Sequence, residues 1–342
     1  MVRFCLLNTL AVILCLGVLT ACPTIELSQT SASSYSLSYS GGILQVSEDM
    51  ETWVDVDPQP TSPLVGNMTA PAKFYRVKSL DRVPIIAFTG QSNTLHTPRN
   101  SAPYSTTDLP YYFSFAQGNA DTSAGASELF TSVTNAITSG KPIGSCWEFA
   151  NALHASDYRA GALRRFAFVQ TGLGGRASWE WKSGQKRNVE FQNALDALIT
   201  QIETHPYTTG ELKAVVVNQG ERDTDTSGTW DVSWTSFITS IRNKYGNQVQ
   251  LYIQTLNNLH LMPRQTTPDA GWDAVYQKQL SLATDSGSTA ALADTYVYDS
   301  NALGGPENTA MYCRDNNVHY SNAGMMMLGE GTFEIFKDVN NF

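Results

Sequence analysis

Two residues far apart in the chain have the types and settings that acyl transfer requires. Ser92 stands in "VPIIAFTGQSNTLH" (residues 83–96), where an apolar run breaks into the tight turn Gly90-Gln91-Ser92-Asn93. A serine in a turn after a buried strand is exposed and fixed, but its hydroxyl is a weak nucleophile without a base within hydrogen-bond reach. His319, in "RDNNVHYSNAG", fits that need. Its neighbours Asn317, Tyr320, Ser321 and Asn322 argue against the alternative of a dry core histidine. Acyl transfer also needs donors aimed at a developing oxyanion. The backbone N–H of Ser92, a glycine of "GLGGR" (172–176) and the side-chain amide of Gln219 in "NQGERDTD" are the candidates. The competing reading is turn geometry for the glycines and a satisfied loop amide for Gln219.

Such residues must be delivered by a scaffold. The runs "VPIIAF", "RRFAFVQ", "LKAVVVN", "QVQLYIQT" and "TYVYD" are short, apolar and rich in β-branched and aromatic residues. Helical periodicity lies between them. Phe191, Leu195, Leu198 and Ile202 repeat at helical spacing, as do Trp234, Phe237, Ile238 and Ile241 before a stop at Gly246. Near-continuous apolar strands alternating with amphipathic helices predict an α/β fold with a mainly parallel five-stranded sheet covered on both faces, a three-layer α/β/α sandwich. Ligands of such sheets bind at the carboxyl ends of the strands, where Ser92, "GLGGR" and "NQGERD" all fall.

The 342 residues suit one large domain and a smaller one. A net charge of −9 without a basic run argues against nucleic acid or an anionic membrane surface as partner. Residues 1–22 have the layout of a secretory signal: Arg3, an apolar stretch, then small residues. "LTAC" (19–22) also has the form of a lipobox, which would make Cys22 a lipidation site and the only membrane attachment; ordinary cleavage nearby is the alternative. Export, as a secreted or cell-envelope lipoprotein, is the expectation. Residues 23–34 are Ser- and Thr-rich and read as a tether, and residues 35–80 as a small β-rich module of short antiparallel strands. In that module "S-x-D-x-x-x-W" ending at Trp53 and the "FYRV" run resemble a β-rich module of bacterial exported enzymes. Trp53 reads as a core residue, with sugar stacking as the alternative. Cys146 and Cys313 remain in the body of the protein, and spacing leaves their pairing open. With no CxxC and only scattered histidines, no metal site is expected and no cofactor is needed.

Four blocks in order complete the picture: Gly90-Gln91-Ser92-Asn93, Gly174-Gly175 with Trp181 following, Gln219-Gly220-Glu221, and His319 before "YSNAG". Together they resemble the SGNH hydrolases, and within them the carbohydrate acetylesterases of the sialate O-acetylesterase and carbohydrate esterase family 6 type. The resemblance spans about residues 83–338 and implies a flavodoxin-like esterase domain over 83–342 acting on an acetylated carbohydrate. It makes Ser92 the nucleophile, His319 the general base, and Ser92, Gly175 and Gln219 the oxyanion hole. Gln91, Asn93, Gly174 and Glu221 become supporting residues, with Arg176 and Trp181 on the sugar side. The chain departs from the family pattern three residues before the histidine, where Asn316 replaces an aspartate and Asp315 stands one step earlier. Either a longer loop brings Asp315 to the imidazole, or Asn316 or a carbonyl orients it, or the site is degenerate. Within the same fold a lipase, thioesterase or aryl esterase is the alternative activity; outside it, a catalytically impaired carbohydrate-binding surface protein.

Overall fold

The computed structural model describes residues 4–5, 24–31, 34–40, 42–49, 51–56, 59–67, 74–79, 81–94, 112–117, 144–156, 166–205, 208–257, 270–303 and 319–341. Each of the five apolar runs forms a strand: β1 (Asp81–Gly90), β3 (Ala167–Gly172), β4 (Thr208–Asn218), β5 (Gln250–Gln254) and β6 (Thr295–Tyr298). A sixth strand, β2 (Tyr112–Gln117), adds to the edge, giving the order β6-β5-β4-β1-β3-β2. β3 runs parallel to both β1 and β2, and β5 parallel to both β4 and β6. The sheet is thus the predicted parallel one, with an edge strand that its short sequence did not announce.

Both faces are buried, which is why the strands read as continuous apolar runs. On one face Ile86, Phe88, Phe168, Val216 and Tyr252 join a core built with α1 (Gly144–Ala155) and α5 (Asn322–Asn340). Phe149 of α1 is its hub, meeting Phe88, Phe168, Phe333 and Phe336 with ring centroids 5.4–6.3 Å apart. The alternate residues Ile85, Ala87, Val169, Val215, Val217 and Ile253 are buried as well. On that side α2 (Lys186–Glu203) and α3 (Trp230–Tyr245) meet through Phe191 and Phe237, edge to face at 5.2 Å. The helical repeats Phe191–Leu195–Leu198–Ile202 and Trp234–Phe237–Ile238–Ile241 are all buried, and Gly246 ends α3 at φ +117°. α4 (Ala270–Ser281) precedes β6. No helix among the described residues is long and apolar enough to cross a membrane.

The chain divides into two compact units: residues 1–82 with 202–209, and residues 83–201 with 210–342. The smaller is β-rich, as expected. One sheet orders Phe4–Cys5, Phe74–Ser79, Gly42–Ser47 and Val54–Asp55; the other orders Thr24–Ser31, Ser34–Ser40 and Leu64–Asn67. The tether reading of residues 23–34 is corrected here. Thr24–Ser31 is a strand paired antiparallel with Ser34–Ser40, because Ile25 buries itself beside Tyr35, Leu37, Leu44 and Tyr75. The "S-x-D" of the module is a turn: the Asp49 carboxylate accepts the N–H of Glu51 and Thr52 and the Ser47 hydroxyl, at 2.7–2.8 Å. Those donors, Thr52 first, hold its pKa down to about 2. Trp53 is only partly buried, with the Arg76 guanidinium 4.3 Å over its ring.

Candidate active site

The ends of β1, β3 and β4 are stitched together where the candidate residues lie. Gly90 takes φ +143°, and a Cβ there would sit 2.0 Å from the Asn218 carbonyl oxygen. Only glycine lets β1 end this close to β4. The Gln91 N–H donates to that Asn218 oxygen (3.1 Å), the Leu173 N–H donates to the Gly90 oxygen (3.1 Å), and the Thr94 N–H closes the turn on Gln91 (3.0 Å). Ser92 is thereby lifted, partly exposed, from a turn tied to both neighbouring strands.

His319 reaches this turn from the opposite end of the sequence. Its Nε2 lies 2.9 Å from Ser92 Oγ. The following residues fix it. Ser321 caps α5 by accepting the Gly324 N–H (3.2 Å), and the Tyr320 N–H donates to Asn93 Oδ1 (3.1 Å). Asn93 Nδ2 in turn donates to Glu221. One buried asparagine therefore ties the serine turn, the histidine loop and the Gln219–Glu221 loop together.

The Gly174–Gly175 loop borders the same opening. A Cβ on Gly174 would lie 3.6 Å from Ser92 Cβ, and Gly175, at φ +69°, has open space around it. The backbone N–H groups of Ser92 and Gly175 have no acceptor among the described residues. Backbone donors left without acceptors are the kind of group that an oxyanion requires.

Two expected roles are corrected by this geometry. Gln219 is fully buried, and its amide is spent inside the protein. Nε2 faces Gln91 Oε1 (3.1 Å), the Arg176 carbonyl (3.1 Å) and Asp223, while Oε1 accepts the indole N–H groups of Trp230 (2.7 Å) and Trp234 (3.2 Å). Indoles only donate, so the amide cannot be turned round, and no proton remains for an oxyanion. Trp181 is 1% exposed, stacks on Trp234 at 5.6 Å and donates its N–H to Thr89 (3.0 Å), so it is a packing residue. Trp179, two positions earlier, is 53% exposed. Its signal was present in "SWEW", where residues two apart on a tight turn face different ways. Asp223 was also missed. It is buried, yet accepts both the N–H and the hydroxyl of Ser178.

The remaining residues fall into place around these. Gln91 and Asn93 are buried, Gly174, Gly175 and Arg176 exposed. Burial pushes the Glu221 carboxyl up to about 7, against the N–H groups of Asn93 and Gly220 that favour its charge. Burial also raises Asp223, opposed by Gln219 and Ser178. Cys146 is buried and free, its thiol pushed up by burial. Asp315, Asn316, Cys22 and Cys313 lie outside the described residues.

Residues 84–336 match the family described as carbohydrate esterase, sialic acid-specific acetylesterase. Among solved structures, a carbohydrate acetylesterase from Xanthomonas citri is similar at a TM-score of 0.50 and 14% identity, over 93% of this chain and 75% of that one. A protein from Arabidopsis thaliana is similar at 0.49 and 18%, over 77% of this chain and all of the other. An acetyl-xylooligosaccharide esterase from Geobacillus gives 0.43 and 13%, over 75% and 94%. At these identities the likeness is one of fold. No curated protein matches the chain.

Proposed function

The chain belongs to the carbohydrate esterase, sialic acid-specific acetylesterase family, and on that footing we propose that it is a serine esterase removing O-acetyl groups from a carbohydrate. The observation that carries the reading is the 2.9 Å contact between Ser92 Oγ and His319 Nε2, made across the sequence near two N–H groups that have no acceptor among the described residues. With the imidazole proton on Nδ1, Nε2 accepts the serine hydroxyl proton as Oγ attacks the acetyl carbonyl. The Ser92 and Gly175 N–H groups hold the resulting oxyanion. The imidazolium then protonates the departing sugar oxygen, leaving an acetyl-serine. Water, deprotonated by the same imidazole, attacks that ester, and acetate leaves as Ser92 regains its proton. Orientation of His319 falls to Asp315 or Asn316. The exposed Arg176 and Trp179, on the loop running from Gly175, are assigned to the sugar.

Export belongs to the same proposal, supported by the layout of residues 1–22, with Cys22 as the lipidated residue. The decisive experiment is acetate release from p-nitrophenyl acetate and from acetylated xylan and O-acetylated sialic acid. Ser92→Ala and His319→Ala should each lose at least about 10³-fold in kcat. A wild-type protein no faster than Ser92→Ala on every acetyl ester would exclude the reading.

A further inference from the structure

The Gly174–Arg176 segment is exposed, and a Cβ on Gly175 would touch nothing within 4 Å. A loop with so few contacts of its own takes its conformation from its anchors, yet an oxyanion donor must be fixed before the reaction begins. We propose that Asp223 is a positioning residue of the oxyanion hole: its carboxylate clamps the loop that presents the Gly175 N–H to the Ser92 ester. The proposal rests on the esterase reading above.

Asp223 is 1% exposed and accepts from Ser178, two residues past the segment, on one side and from the amide of Gln219 on the other. Its two oxygens each lie 3.0 Å from the Ser178 nitrogen, and Oδ1 accepts the Ser178 hydroxyl at 2.7 Å. Oδ2 accepts from Gln219 Nε2. That amide group also faces the Arg176 carbonyl and Gln91 Oε1, both at 3.1 Å. The glycine loop is therefore held at Ser178 by the carboxylate and at Arg176 through Gln219. The residue preceding the nucleophile is held by the same amide. Because Trp230 and Trp234 occupy Gln219 Oε1, the amide has one orientation, and a carboxylate is the group that completes it. An asparagine at 223 gives up the charge that strengthens these bonds, and it keeps the Gln219 bond only by turning its NH₂ to the Ser178 hydroxyl, which must then accept instead of donate.

The test compares wild type, Asp223→Asn and Ser178→Ala on p-nitrophenyl acetate. Active sites are counted by end-point labelling of Ser92 with a fluorophosphonate, so that kcat is expressed per labelled site. Expected is a fall in per-site kcat of about tenfold for both Asp223→Asn and Ser178→Ala, with KM within about threefold. Should Asp223→Asn fail to fold, Ser178→Ala carries the test alone. Per-site kcat within threefold of wild type, or a loss explained wholly by fewer labelled sites, would overturn the clamp and leave the esterase intact. A wild type no faster than Ser92→Ala would instead overturn the esterase reading, and the clamp with it.

Discussion

Trp179 and Trp181 share a side chain and nearly a position, and burial alone separates their roles. Trp181→Ala removes a stacked, hydrogen-bonded indole from the core and should cost about 3–5 kcal/mol, read as a lower urea midpoint and poor soluble yield. Trp179→Ala removes an exposed ring from the loop end. It should raise KM for acetylated oligosaccharides about 3–10-fold, the worth of one stacking contact, while p-nitrophenyl acetate turnover stays within twofold. Equal losses on both substrates would show that Trp179 supports the loop rather than the sugar. Glu221 offers a different test at this scale. Its carboxyl rises from 4.5 to about 7 on folding, so between those values the folded protein holds a proton that the unfolded chain has released. Stability therefore declines as pH rises from about 4.5 through about 7, then levels off. Glu221→Gln has no such proton, so its urea midpoint should decline less between pH 5 and pH 8 than that of wild type. Parallel declines would refute the assignment.

The strand ends are where elements become a site. Gly90→Ala would drive a Cβ to 2.0 Å from the Asn218 oxygen at a φ that side chains avoid. Strand β1 must then retreat from β4, moving Ser92 off His319, and kcat should drop more than about 100-fold with a lower Tm. A Gly90→Ala protein with wild-type kcat would mean the turn tolerates far more movement than its packing implies. The helices of this scaffold were legible because Phe191, Leu195, Leu198 and Ile202, or Trp234, Phe237 and Ile241, repeat with the helical period over several turns. Thr24–Ser31 was not, since its serines and threonines outnumber Ile25 and Leu27 and composition reads them as linker. The corrected side chains fail for another reason. Whether Gln219 or Trp181 faces substrate depends on Trp230, Trp234, Thr89 and Asp223, partners contributed by other elements and invisible along the chain.

At the scale of the molecule, each of the two units has its own buried cluster, one around Phe149 and one around Leu44. Leu44→Ala should destabilise the smaller unit by about 2–5 kcal/mol, seen as earlier proteolysis of its strands. Per-site kcat on p-nitrophenyl acetate should hold within twofold, because no residue of the site lies in that unit. A parallel loss of turnover would join the units functionally. The order of the chain adds a last consequence. Ser92 and His319 are separated by 227 residues, and the histidine is placed by the cap of the final described helix. On the proposed mechanism Ser92 leaves the ribosome well before the base that would activate it, and a nascent chain that stops short of His319 carries an unreactive serine. Under the proposed mechanism hydrolytic power waits for the last of the four blocks, so the growing polypeptide stays inert until His319 has docked beside Ser92.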